Sequence, residues 1–234
     1  MNEIKNIAFI LDGNRSPAKK MQVNPWSVYK CQAKKIEEIL NWCREIGDRH
    51  VTLYALSLQY FNRPEKETEF SMKLLKKQFL AFTDPKHTVH KYKIRIKAFG
   101  RVQTLPKSVQ KAIALAEKST ENYSEYFLNI AVYYDGKEEI KDAISKILEK
   151  VAKGMLKPEE IDENIIGSNL YANSMPNPDI VIRTGGDHRL SNFLLWQSSY
   201  SELYFIEKNM TEFTKEDFIL IVKEYQKRRR SFGR

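Results

Sequence analysis

DIVIRTGGDHRLSNFLLWQSSYSELYF, residues 179–205, is the stretch on which the fold turns. Its first part, Ile180–Ile182, is a short apolar run of β-branched residues and reads as a buried strand. The run opens directly onto Arg183-Thr184-Gly185-Gly186-Asp187-His188-Arg189-Leu190-Ser191. Two arginines, two glycines and a serine after a buried strand suit a diphosphate. Guanidinium forks match phosphate oxygens, and glycine lets the backbone approach them. Further on, Glu202 stands in the apolar-aromatic run Tyr200–Phe205, which ends in a last short strand. An unpaired carboxylate is costly there, so Glu202 needs a metal or an arginine beside it.

Working outward, Asn6–Leu11 and Val51–Leu56 are two more short apolar runs. The first ends on Asp12-Gly13-Asn14, a loop signal, and the second on Ser57. Phe127–Tyr133 reads as another strand, and Ile94, Ile96 and Ala98 alternate with charged residues as a half-buried strand near a sheet edge does. Between these runs the apolar spacing turns helical. One helix opens at Asn24-Pro25, carries Trp26, Ala33, Ile36, Leu40 and Cys43, and closes at Gly47. Others run from Pro64 to Asp84-Pro85, from Lys107 to Asn122, from Lys137 to Ala152, from Pro158 to about Tyr171 and from Lys215 to Arg230. Strands alternating with helices predict an α/β fold, a central mostly parallel sheet flanked by helices, with ligands at the carboxyl ends of the strands. Asp12, Ser57 and Arg183 all fall at such ends.

The chain of 234 residues, 42% hydrophobic, is the right size for one domain over 1–234. Cys31 and Cys43 share a predicted helix without CxxC spacing, which points to a reducing, cytoplasmic setting rather than a disulfide or zinc site. The N-terminal residues lack the pattern of a secretion signal, and no long apolar run is present to span a membrane. A formal net charge of +9 attracts anions: nucleic acid, anionic lipid or small diphosphates. Without a zinc-finger or RNP-type signature, nucleic acid is not an expected partner.

Asp12-Gly13-Asn14-Arg15-Ser16 places a carboxylate before a permissive loop whose N–H groups suit a phosphate. A carboxylate beside a phosphate needs a cation between them, and Mg²⁺ is the hard ion that bridges one or two carboxylates to substrate phosphates. Taken alone, the segment is equally an ordinary Asp-Gly turn.

These stretches together resemble the cis-prenyltransferase family, which includes undecaprenyl diphosphate synthase. The resemblance runs almost end to end through ILDGN, SLQYFNRP at Ser57–Pro64, LNIAVYYDGKEEI at Leu128–Ile140 and the segment quoted first. It implies Mg²⁺-dependent transfer of an allylic prenyl group onto isopentenyl diphosphate, a homodimer, and a hydrophobic tunnel for the growing chain. It also implies cytoplasmic location, with contact at a membrane surface through the lipid product as a further expectation. By the same resemblance Asp12 serves the allylic diphosphate and its Mg²⁺, and Gly13, Asn14, Arg15, Ser57, Phe61 and Arg63 bind substrate. Arg183, Arg189 and Ser191 hold isopentenyl diphosphate, while Glu202 completes the metal site from the neighbouring subunit's side.

Against the usual DGNGRWAK, this chain reads Asp12-Gly13-Asn14-Arg15-Ser16-Pro17-Ala18-Lys19, and Tyr60 replaces the Asn often assigned to proton removal. Asp135 and Lys137 depart from the usual GGR, and Ser231 from the C-terminal arginine. The acceptor side is thus altered and the donor side intact. The leading expectation is an active enzyme with a different allylic chain length, a different acceptor or a non-head-to-tail condensation; the alternative is a non-catalytic subunit of a heteromeric enzyme.

Overall fold

The structure, a computed structural model, describes residues 3–12, 25–59 and 64–228, without the side chains of 25–32. In chain order it runs β1 (Ile7–Ile10), α1 (Pro25–Glu45), β2 (His50–Ser57), α2 (Glu65–Ala81), α3 (Thr88–Lys91), β3 (Ile94–Phe99), α4 (Lys107–Thr120) and β4 (Tyr126–Tyr134). Then follow α5 (Gly136–Ala152), α6 (Glu163–Asn169), β5 (Ile180–Thr184), β6 (Glu202–Ile206) and α7 (Lys215–Lys227). The strands form one six-stranded sheet in the order β3-β4-β2-β1-β5-β6, parallel at every pairing.

Burial follows from that order. All four residues of β1 are buried, as a strand flanked on both sides and covered on both faces requires. Ile7 and Phe9 face one core with Ile39 and Trp42 of α1 and Phe218 and Tyr225 of α7. Ala8 and Ile10 face the other with Phe99, Tyr134 and Phe193. β3 alternates buried and exposed residues and lies at the sheet edge, where its charged residues reach water.

Most predicted elements lie within a residue or two of the observed ones, and three differ. The expected helix from Pro158 to Tyr171 is two pieces, a 3-10 turn at Pro158–Glu160 and then α6. Asp162 divides them by accepting the Ile165 N–H at 2.7 Å, which starts a new helix. The short α3 had no apolar period to announce it; the His87 ring nitrogen caps it by accepting the Val89 N–H. The terminal helix, expected to reach Arg230, ends at Lys227. Phe79 is core, 1% exposed and edge-on to Phe82. Cys43 is buried in α1. Among the described residues no helix is long and apolar enough to cross a membrane.

Candidate functional site

The sheet reverses its winding at β1, which pairs with β2 on one side and β5 on the other, so the carboxyl ends of β1 and β5 border a crevice. Ile10 is in register with Arg183, which puts Asp12 beside that arginine although 171 residues separate them.

Arg183, inside β5 rather than after it, is 3% exposed, and its guanidinium gathers the crevice. One terminal nitrogen donates to Asp12 Oδ2 at 2.7 Å and to Asp187 Oδ2 at 3.1 Å. The other donates to Ser191 Oγ at 2.9 Å and to the Arg189 carbonyl. Its Nε is buried without a partner among the described residues, a donor whose isolation costs about 1–3 kcal/mol. Arg189, well exposed, forks onto Asp187 as well. Asp187 therefore bridges both arginines of the cradle.

Asp12 is held by its backbone and leaves its carboxylate half exposed. Its carbonyl accepts the Thr184 hydroxyl at 2.9 Å and the Met210 N–H at 3.1 Å. With Oδ2 on Arg183, Oδ1 carries no hydrogen bond among the described residues, and the side chain is 48% exposed. The accessible Asp12 Oδ1 is the kind of hard oxygen by which Mg²⁺ is held together with substrate phosphates, and among the described residues no three His, Cys, Asp or Glu side chains group to hold a metal by themselves.

The cradle loop is strained where it matters. Ser191, Asn192 and Leu194 have φ of 51°, 61° and 46°, left-handed values that side chains rarely adopt and that surrounding contacts must sustain. The Asn192 carbonyl accepts the Gly136 N–H at 2.8 Å, and a Cβ on Gly136 would lie 2.7 Å from that oxygen. The Asn192 amide donates to Asp135 Oδ2 at 2.8 Å, and Gln59 donates to the same oxygen. The other Asp135 oxygen caps α5 through the Lys137 and Glu138 N–H groups. Burial pushes this carboxyl up, but the donors from Asn192, Gln59 and the helix outweigh it and hold it below the usual carboxylate range. The Tyr54 hydroxyl donates to the Ser191 carbonyl at 3.2 Å, its ring stacks on Phe193, and burial raises its pKa.

Of the predicted site residues, the structure gathers Asp12, Arg183, Arg189 and Ser191, with Ser57 closing β2 nearby in the sheet. It leaves Glu202 apart from them. Glu202 opens β6 opposite Ile180, at the amino end of the strands, and pairs with Arg228, the arginine partner its apolar setting needs. Gly13, Asn14, Arg15, Tyr60, Phe61 and Arg63 lie outside the described residues. Asp187, Thr184, Asp135, Gln59 and Asn192 were not predicted. One signal was available: Asp135-Gly136 after a strand repeats the pattern of Asp12-Gly13.

An arginine-centred anion cradle at the switch point of a fully parallel sheet defines a class, the α/β proteins that act on phosphorylated substrates. Residues 10–233 match the family described as "Putative undecaprenyl diphosphate synthase", and the chain belongs to this family of cis-prenyltransferases. It is 45% identical over 232 residues to tritrans,polycis-undecaprenyl-diphosphate synthase (geranylgeranyl-diphosphate specific) of Methanocaldococcus jannaschii, covering 98% of this chain and 82% of that one. The same-named protein of Thermococcus kodakarensis is 48% identical over 230 residues, 98% of this chain and 87% of the relative. The crystal structure of lavandulyl diphosphate synthase from Lavandula x intermedia, in complex with dimethylallyl diphosphate, superposes with a TM-score of 0.91 at 32% identity, covering 99% and 98% of the two chains. The chain is thus a transferase of prenyl groups, as its resemblance implied.

Proposed function

We propose that this protein is a cytoplasmic, homodimeric, Mg²⁺-dependent cis-prenyltransferase that adds isopentenyl diphosphate to an allylic diphosphate of geranylgeranyl size to give a (Z)-prenyl diphosphate. The observation that carries the reading is the buried Arg183 guanidinium reaching Asp12, Asp187 and Ser191 at once. The names of the two relatives favour the primer, and a different allylic chain length is one of the outcomes expected of an altered acceptor loop.

Arg183, Arg189 and Ser191 hold the isopentenyl diphosphate. Asp12 holds the Mg²⁺, joined by Glu202 of the second protomer, and faces the allylic diphosphate with Gly13, Asn14 and Arg15. Ser57, Phe61 and Arg63 complete the substrate contacts. The metal, when bound, neutralises charge on the departing diphosphate. The allylic C–O bond breaks, the isopentenyl double bond attacks the allylic carbon, and the proton released to restore a double bond passes by way of Tyr60. Full turnover by Tyr60→Phe would rule out that hydroxyl.

The chain-storing tunnel draws support from Leu40 of α1, Leu75 of α2 and Phe82, apolar residues only partly buried against the core. The dimer draws support from apolar residues left open on and before the edge strand β6, with Leu203 40% and Tyr200 66% exposed. A lipid product and a basic C-terminal end favour contact with a membrane surface.

The test is incubation with Mg²⁺, labelled isopentenyl diphosphate and a panel of allylic diphosphates, with products resolved by mass. Extension of geranylgeranyl diphosphate is expected. Turnover of dimethylallyl diphosphate alone would favour a second reading, supported by the likeness to the lavandulyl enzyme. Silence throughout, restored by a second family-like chain, would make this a partner subunit.

A further inference from the structure

Asp135 lies at the end of β4, in neither phosphate-facing segment, yet it touches three parts of the molecule. Through Oδ2 it accepts the amide of Gln59, just past β2, and the amide of Asn192, one residue beyond Ser191. Through Oδ1 it caps α5. Its neighbour Gly136 donates to the Asn192 carbonyl from so close that no side chain fits. Asn192 is thus gripped by side chain and main chain together, at the point where two consecutive left-handed residues store strain. Ser191, the first of the two, accepts from the Arg183 guanidinium.

We propose that Asp135 is a positioning residue for the donor site, holding the Ser191-Asn192 turn in the conformation that presents Ser191 and the Arg189 carbonyl to Arg183, and thereby setting the affinity for isopentenyl diphosphate. The carboxylate is suited to this because it is buried, ionised by its four donors and rigidly capped into α5. Gln59 ties the exit of β2, and with it Ser57, to the same oxygen. This inference rests on the donor-site reading given above.

The experiment compares wild type with Asp135→Ser, whose hydroxyl still caps a helix but is too short to bridge Gln59 and Asn192. Asn192→Gly, which tolerates the left-handed backbone while removing the amide, is the second variant, and the two are then combined. KM and kcat are measured for each substrate, with calorimetric binding of isopentenyl diphosphate. Each single variant is expected to raise the KM for isopentenyl diphosphate about tenfold or more, with the allylic KM within about twofold, and the double variant to be no worse than either single, since both break one link. An unchanged isopentenyl KM, additive losses, or parallel loss of both affinities with a fallen melting temperature would overturn the proposal. A wild type that neither binds nor turns over isopentenyl diphosphate would instead overturn the donor-site reading itself.

Discussion

Arg183 Nη2 lies 2.7 Å from Asp12 Oδ2, joining the ends of two adjacent parallel strands through a buried guanidinium and a half-exposed carboxylate. Arg183→Lys replaces a fork that serves four acceptors with a point charge that cannot span them. Losing a preorganised hydrogen-bond donor of this kind typically costs about 10²–10³-fold, and a loss of that size is expected in kcat/KM for isopentenyl diphosphate. Steady-state kinetics decide it; a loss below about tenfold would show the fork to be dispensable.

Asp12→Asn keeps an oxygen for Arg183 but no anion for a metal. Turnover is expected to fall by about 10²–10³-fold with little change in melting temperature. Chelator-treated wild type should recover fully on adding Mg²⁺, and the variant should not. Recovery of the variant by Mg²⁺ would place the metal elsewhere.

Stability should depend on pH through the amino end of the sheet. Burial pushes Asp48 up to about 8, against the backbone donor of His50 and reinforced by Asp179. A raised acid means the folded state holds a proton that the unfolded chain gives up near 4, so this contribution to stability is lost as pH rises toward 8. Burial, with Arg49 beside it, lowers His50 to about 4, which adds stability above the ordinary value of 6.5 that is lost as pH falls through the window down to 4. The two slopes oppose each other below about 6.5 and leave Asp48 alone above it. Melting temperature should therefore fall between about pH 6.5 and 8, and Asp48→Asn should flatten the fall. An Asp48→Asn profile parallel to wild type would contradict this.

Two glycines should fail for different reasons. Gly136→Ala sets a methyl 2.7 Å from the Asn192 carbonyl and 2.9 Å from Leu195 Cγ, an overpacking that costs about 1–3 kcal/mol and displaces the donor loop. Gly186→Ala, at φ 76°, meets only the end of the Glu207 side chain, so its cost is the left-handed backbone, about 1–2 kcal/mol. Denaturation should show both losses, and the isopentenyl KM should rise more for Gly136→Ala. Equal KM values would separate the Gly136 contact from the donor site.

The sheet was legible because a parallel strand covered on both faces has to be continuously apolar, and Ile7–Ile10 and Ile180–Ile182 are. The Asp12 to Arg183 meeting was legible for the same reason, since polar residues at parallel strand ends share one edge of the sheet. The supports of the cradle were not. The link from Asp135 to Asn192 spans 57 residues and that to Gln59 spans 76, and no periodicity encodes which polar groups meet over such distances. The left-handed turn at Ser191 and Asn192 was hidden because neither residue is glycine. Glu202 needs a counter-charge in its apolar setting, and Arg228, just past the last helix, supplies it within the chain.

β1 is the first strand among the described residues and an inner strand of the sheet, with one neighbour, β2, soon after it in the chain and the other, β5, some 170 residues on. Until residues 180–184 have been made, β1 has an open edge, four apolar residues without their second partner. Closing a loop of that length precedes any reward from the pairing, which slows folding of such parallel sheets. The pairing of β1 with β5 also brings Asp12 to Arg183. Completion of the sheet and assembly of the reactive crevice are therefore one late event, so a nascent or truncated chain that lacks β5 has no Asp12–Arg183 contact and carries β1 as an apolar strand with one open edge, prone to aggregation.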